Sequence, residues 1–380
     1  MKNMSYIRTI VLILATLALL QACAPTRVPI SSAPDPRQDP GVLLKSNNIA
    51  QFYEVGWSQL PGWQEDDVKE AWPSWLRSCQ GLARRNPSGI QWRPVCDAAK
   101  RVNSSSNTEI RQYFERHFKV LEVRHQSGSN AGKNTGLVTG YYEPYLNGSR
   151  KRQGIYQTPI HRYPDAWRRK KPDDMPTRAE LMRSGQLNGQ EILWVDDPVA
   201  AAFMQVQGSG RVRMDNGQVV RLGFAGTNDQ PFKSFAQWLL DRKEITRAQA
   251  TMQGIQAWAK KNPQRVQEML NANPRYVFFR EMPVTPDLEV GPIGSLGVPL
   301  TPKRSIAVDT KALPLGAPVY LSTTFPLSEK PLNSLMMAQD TGSAIIGAVR
   351  ADFYWGTGEA AGEQAGRMKQ TGRMWVFVPR

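Results

Sequence analysis

The 380-residue sequence predicts a mixed α+β fold, mainly β toward its C-terminus, from three observations. Helix signals fall in the N-terminal and middle parts. Ser106 and Glu109 form an S-x-x-E capping box ahead of Ile110, Tyr113, Phe114 and Leu121 at helical spacing. Thr177 with Glu180 repeats the device before Gly185, and Thr246 with Gln249 does so before a helix carrying Ile255 and Trp258 that stops at Asn262-Pro263. Asp197-Pro198 opens another helix through Phe203 and Met204. From Tyr276 onward the pattern changes: runs at 276–279, 305–308, 318–321, 335–338 and 374–378, parted by Pro and Gly turns, read as short strands. About a hundred residues of strands with little helix between them point to a small barrel.

The N-terminus reads as an address. Lys2 and Arg8 precede a short apolar run, 9–20, of signal-peptide length rather than bilayer-spanning length. Its end, Leu20-Gln21-Ala22-Cys23, resembles the lipobox of bacterial lipoproteins, which implies cleavage after residue 22 and acylation of Cys23. Ala24 is not an aspartate, so by the same resemblance the expected location is the periplasmic face of the outer membrane. Prolines 25, 29, 34, 36 and 40 then mark a tether. The formal charge is +15; losing 1–22 removes two bases and leaves +13. Export argues against nucleic acid as the partner of so basic a chain. An anionic polymer of the cell wall, peptidoglycan, fits better.

Cys79 and Cys96 are the other cysteines, and an oxidising compartment makes a disulfide between them the natural reading. His117, His125 and His161 are scattered without ligand spacing, and no phosphate-binding glycine loop is present, so neither metal nor cofactor is expected. Trp57, Trp63, Trp72 and Trp75 read as core. Glycines in Thr139-Gly140-Tyr141-Tyr142-Glu143-Pro144, Gln207-Gly208-Ser209-Gly210 and Phe224-Ala225-Gly226-Thr227-Asn228 mark tight turns or places where backbone comes close to a ligand.

The stretch 336–356 holds the chemistry. Asp340 stands where an apolar strand meets Thr341-Gly342-Ser343, and Asp352 follows twelve residues later, succeeded by Phe353, Tyr354 and Trp355. Aromatics beside an acid lower the local dielectric, raise its pKa and offer flat faces to sugars. A β-hairpin with a solvated turn aspartate and an aromatic core is the plain structural alternative. Asp340-Thr341-Gly342-Ser343 also matches the aspartic-peptidase signature, whose chemistry needs two such aspartates. Asp309-Thr310-Lys311 lacks the glycine, so only a homodimeric peptidase would remain.

Taken together, the lipobox, Gly140-Tyr141-Tyr142, Gln207-Gly208-Ser209-Gly210, Ala225-Gly226, Asn273-Pro274 with Tyr276-Val277-Phe278-Phe279, and Asp309, Asp340 and Asp352 resemble the membrane-bound lytic transglycosylase A (MltA) family. The resemblance implies a double-psi β-barrel, the three-aspartate domain, from 46–144 and 276–380 with N-terminal helices. A smaller barrel-containing domain, 145–275, is inserted, and the substrate groove lies between the two. Residues 1–22 would be the signal peptide and 23–45 the lipidated tether. The implied reaction cleaves the β-1,4 bond between N-acetylmuramic acid and N-acetylglucosamine, leaving 1,6-anhydromuramic acid ends. Asp352 would be acid then base, Asp340 its support and Asp309 a structural acid. Gly140, Tyr141, Tyr142, Gln207, Gly208, Ser209, Ala225 and Gly226 would bind substrate. The implied partners are glycan strands, the outer membrane and other murein synthases or hydrolases, with no cofactor and no nucleic acid. Many relatives carry Gly where Ser343 stands. A non-catalytic wall-binding lipoprotein and the homodimeric peptidase stay open as alternatives.

Overall fold

The computed structural model describes residues 41–169, 171, 174–283 and 290–380. The signal segment, Cys23 and the tether as far as residue 40 lie outside the described residues. Within them the strands are β1 (Val42–Ser46), β2 (Ala50–Val55), β3 (Phe118–His125), β4 (Gly136–Glu143), β5 (Tyr145–Ser149), β6 (Thr158–His161), β7 (Glu191–Val195), β8 (Ser209–Met214), β9 (Val219–Thr227), β10 (Val277–Met282), β11 (Ser305–Val308), β12 (Pro318–Thr324), β13 (Pro331–Asp340), β14 (Arg350–Thr357) and β15 (Lys369–Pro379).

The architecture is mixed α+β with two sheet-rich domains. The first sheet runs β1-β2-β3-β15-β12-β13-β11-β14-β4, and β4 pairs again with β15, so part of the ladder returns on itself. The second runs β10-β9-β8-β5-β7-β6. The helices Trp72–Arg84, Arg93–Ala99 and Asn107–His117 belong to the first domain, whose core includes Trp63, Trp72, Trp75, Phe114 and Phe377, all nearly fully buried. Burying a large apolar side chain contributes about 3 kcal/mol at most, so several together dominate this core. The polar edge of Trp75 is satisfied: its Nε1 donates to the Tyr113 hydroxyl at 3.0 Å, which donates to the Val95 carbonyl at 2.7 Å. A disulfide joins Cys79 to Cys96 and so ties Trp72–Arg84 to Arg93–Ala99.

Local signals are realised with three differences, the first being that Leu121, counted with the helix after Ser106, lies beyond that helix in β3. Thr177 and Glu180 form the full reciprocal box. Ser106 accepts from the Glu109 amide at 3.2 Å, but Glu109 reaches the Asn103 amide rather than that of Ser106. The Thr246 and Gln249 box closes a single 3-10 turn, Arg247–Gln249. Thr251 caps the helix that carries Ile255 and Trp258, Met252–Lys261, because its own hydroxyl reaches the Gly254 amide at 3.1 Å.

Two strand expectations change more. The run that opens at Tyr276 becomes β10, which pairs with β9 in the second sheet and buries Val277 and Phe279 in that sheet's core. And β13 and β14 are not a hairpin: β11 lies between them, parallel to β13 and antiparallel to β14. A short strand that arrives from an earlier part of the chain leaves no local turn signal, which is why the intervening partner is invisible in the 336–356 stretch.

Candidate active site

Register places the two aspartates. Ala307 of β11 is the partner of Asp340 on β13 and of Asp352 on β14, and Asp352 is in turn the partner of Thr139 on β4. Residues opposite one another on neighbouring strands share a face. Asp340, Ala307, Asp352 and Thr139 therefore form one row, and all four line a cavity of about 990 Å³. Asp340 reaches this row through a bulge: Ile306 pairs with Ala338, but Ala307 pairs with Asp340, so Gln339 is the extra residue. Because strand side chains alternate, without the bulge Gln339 would stand beside Ala307 and Asp340 would point to the opposite face.

Gln339 holds the bulge from behind. Its side chain is fully buried. Its Nε2 donates to the Ser74 carbonyl at 2.8 Å and to Ser78 Oγ at 3.0 Å, while its Oε1 accepts from Ser305 Oγ at 2.6 Å and Ser74 Oγ at 3.1 Å. The helix Trp72–Arg84 thereby sets the direction of a carboxylate more than 260 residues later in the chain.

The carboxylates have different surroundings. Arg350 Nη2 donates to Thr139 Oγ1 at 2.9 Å, and a guanidinium can only donate, so the Thr139 proton is free to go to Asp352 Oδ1 at 2.6 Å. A proton carried by Asp352 therefore sits on Oδ2. Burial is the largest influence on this carboxyl and pushes it up to about 6. Thr139 and Arg350 pull it down, and the Asp340 charge adds a small push upward. Burial thus does most of the raising, in line with the low dielectric expected beside the aromatics, and the like charge does little. Asp340 is also raised by burial, against hydrogen bonds from its surroundings. Ser295 donates through both N and Oγ to Oδ1 at 2.9 Å, and the Tyr141 hydroxyl donates to Oδ2 at 3.1 Å. With Asp340 on the strand at one flank of β11 and Asp352 on the strand at the other, their backbones stand about 9–10 Å apart. Neither carboxylate hydrogen-bonds the other among the contacts described, so the two form no shared-proton pair within the chain.

Of the other residues singled out in sequence, Gly140, Tyr141, Gln207, Gly208 and Ser209 line the cavity. Gly208 adopts φ 79° as the left-handed cap of Pro198–Gln207, which turns Ser209 back toward the site. Gln207 Oε1 accepts from the Tyr142 amide at 3.1 Å. Tyr142, Ala225 and Gly226 are not among the lining residues. The buried Tyr142 ring packs against Gly362 and directs its hydroxyl to Met252 Sδ, while Gly226 lies against the Tyr163 ring and Ala225 joins that neighbourhood's apolar cluster. Asp309 is nearly buried off the cavity, accepting from the Lys311 and Gly347 amides at 2.9 Å each. It fastens the turn after β11 to the loop before β14. Phe353, Tyr354 and Trp355 are buried, so they present no open faces for sugars. The aromatic faces at the cavity are instead Phe224 and Phe232, 51% and 42% exposed. Sequence reasoning also missed Thr139, Ser295 and Arg350 as site residues; Thr139 alone carried a signal, as the first residue of the Gly-Tyr-Tyr stretch.

The two domains meet behind the site at Glu143, the last residue of β4. Fully buried, it accepts from Arg211 Nε at 2.8 Å and Arg221 Nε at 3.0 Å on strands of the second sheet, and from Thr357 Oγ1 at 3.2 Å on β14.

Comparison with known proteins agrees with this arrangement. Residues 137–280 match the family model described as the MltA specific insert domain, and residues 304–378 match the 3D domain. The membrane-bound lytic murein transglycosylase A of Escherichia coli K12 is 33% identical over 247 residues, 63% of this chain and 64% of that protein's length. The structure of the lytic transglycosylase LtgG of Burkholderia pseudomallei is 50% identical, covers 90% of this chain and 98% of that chain, and has a TM-score of 0.62. MltA from Neisseria gonorrhoeae is 32% identical over 91% of this chain and 98% of its own, with a TM-score of 0.73. Escherichia coli MltA with bound chitohexaose is 25% identical over 83% and 90%, with a TM-score of 0.66. Both the matched domains and the near-complete alignment with solved relatives lead to one conclusion: this chain belongs to the MltA family.

Proposed function

We propose that the chain is a peptidoglycan lytic transglycosylase that uses Asp352 alone as acid and then base, and the observation that carries this is how the cavity distributes its carboxylates. Asp340 and Asp352 are the only carboxylates among the described lining residues, and Asp340 is occupied by Ser295 and Tyr141. A glycoside hydrolase needs a second carboxylate to activate water or attack carbon. Here Asp352 protonates the glycosidic oxygen from Oδ2, then accepts the proton of the muramic C6 hydroxyl as that oxygen closes on C1 to give the 1,6-anhydro ring. The nucleophile is already part of the substrate, so its effective concentration replaces the missing base. Asp340 supports the site through Tyr141. The relative solved with chitohexaose supports a glycan strand as the occupant of the cavity. Digestion of purified sacculi is the test: products ending in anhydromuramic acid, one water lighter than reducing ends, are expected, and the absence of any turnover would favour a wall-binding protein.

The returning ladder of β15, β12, β13, β11, β14 and β4 supports a double-psi β-barrel, with the second sheet inserted between β4 and β11. The lipobox supports anchorage of Cys23 in the outer membrane. Cys23→Ala should move the protein from the outer-membrane to the soluble fraction; retention in the membrane would contradict the anchor.

The acid must be protonated in the free enzyme, so kcat/KM should fall as pH rises through about 6. Arg350 holds the Asp352 pKa down both by its charge and by orienting Thr139. Arg350→Met removes both effects, and the descending limb should move to higher pH. A limb that stayed in place, or moved to lower pH, would show that another group sets it.

A further inference from the structure

Among the described residues five arginines and two aspartates line the cavity, and the arginines divide into two groups. Arg221 is matched by Glu143, Arg178 is buried among neutral oxygens including the Asn273 and Arg275 carbonyls, and Arg350 is engaged with Thr139 and the Ala351 carbonyl. Arg275 and Arg280 are different. Arg275 donates through Nε to the Gln230 carbonyl at 2.8 Å and through Nη1 to Ser343 Oγ at 2.9 Å. Arg280 is exposed and, among the described residues, donates only to Met282 Sδ at 3.4 Å. Neither meets a carboxylate among the described residues. Both line the cavity, Arg275 just before β10 and Arg280 within it, and the partner of Arg280 on β9 is Gly223, which has no side chain to cover the guanidinium.

Two guanidiniums that meet no carboxylate among the described residues, on the wall of a cavity read as holding a glycan strand, suit the acidic groups that such a strand carries. We propose that Arg275 and Arg280 form a carboxylate-binding subsite for the acidic substituents of the strand, resting on the transglycosylase reading above. Peptidoglycan offers this chemistry from two sources, stem-peptide carboxylates and the lactyl carboxylate that remains when the peptide is removed. Arginine binds carboxylate through two parallel N–H donors, which lysine cannot reproduce.

The test is equilibrium binding to Asp352→Asn protein, which leaves ligands uncleaved, with three probes: peptide-bearing strands, amidase-stripped strands and neutral chitohexaose. Arg280→Gln should lower the affinity for charged strands about tenfold more than that for chitohexaose, with Arg280→Lys intermediate; Arg275→Gln should act in the same direction. A loss confined to peptide-bearing strands assigns the stem carboxylates, a loss confined to stripped strands, where alone the lactyl carboxylate is free, assigns the lactyl group, and an equal loss on both shows that the pair takes either acid. Equal changes on all three probes, or no change, overturn the subsite. If the wild-type protein makes no anhydro ends while the charged-to-neutral ratio still responds, the reaction is wrong and the subsite stands.

Discussion

Asp352→Asn should lower the turnover of sacculi by about a thousandfold or more while the protein stays folded and still binds glycan. General acid or base catalysis by one group contributes roughly 10²–10⁴ in rate, and here one carboxyl serves both steps. The amide keeps the shape and can still accept from Thr139, whose hydroxyl faces Oδ1 at 2.6 Å. It cannot deliver a proton from the second position. Asp340→Asn should cost less, about tenfold to a hundredfold, because that residue acts through Ser295 and Tyr141 rather than on the substrate. Steady-state rates on sacculi, with circular dichroism as the folding control, check both. Near-normal turnover by Asp352→Asn would remove it from the reaction.

Gln339→Leu should be the most damaging change at a residue that never touches substrate. Leucine matches the volume but leaves the Ser74 and Ser305 hydroxyls and the Ser74 carbonyl without the partner they have at 2.6–3.1 Å. Each buried polar group left unsatisfied costs about 1–3 kcal/mol, so a loss of roughly 3 kcal/mol is expected in urea unfolding. The bulge would also lose its anchor, and a register without it sends Asp340 to the wrong face. Activity per folded molecule should then fall by about tenfold or more. Ser78→Ala removes only one bond to Nε2 and should leave activity close to normal. Equal behaviour of the two variants would show that the bulge does not depend on Gln339.

The pattern of acids was legible in sequence and their placement was not. Asp352 beside three aromatics announced a low-dielectric acid, and those aromatics prove to act by burial. The strands at 305–308 and 335–338 were readable because apolar runs between Pro and Gly turns have a local signature. That β11 separates β13 from β14 depends on pairing between distant segments, for which no local pattern exists. Gln339 looked like an ordinary strand residue because its meaning lies in two serines on a helix near the other end of the chain. Arg350 and Ser295 were missed for the same reason: each matters through a hydroxyl or carboxylate supplied by another strand. Tyr142 and Gly226 were misdirected by parity and by packing, since the neighbours that face the cavity point their own side chains the other way.

The claim that one aspartate suffices because the substrate brings its own nucleophile is tested most directly by digesting purified sacculi in heavy-oxygen water. A hydrolase places oxygen from water on each new reducing end. The intramolecular route breaks the same bond without consuming water, so the expected product is an anhydro end free of the label. New termini that are mainly labelled and reducing would contradict the account.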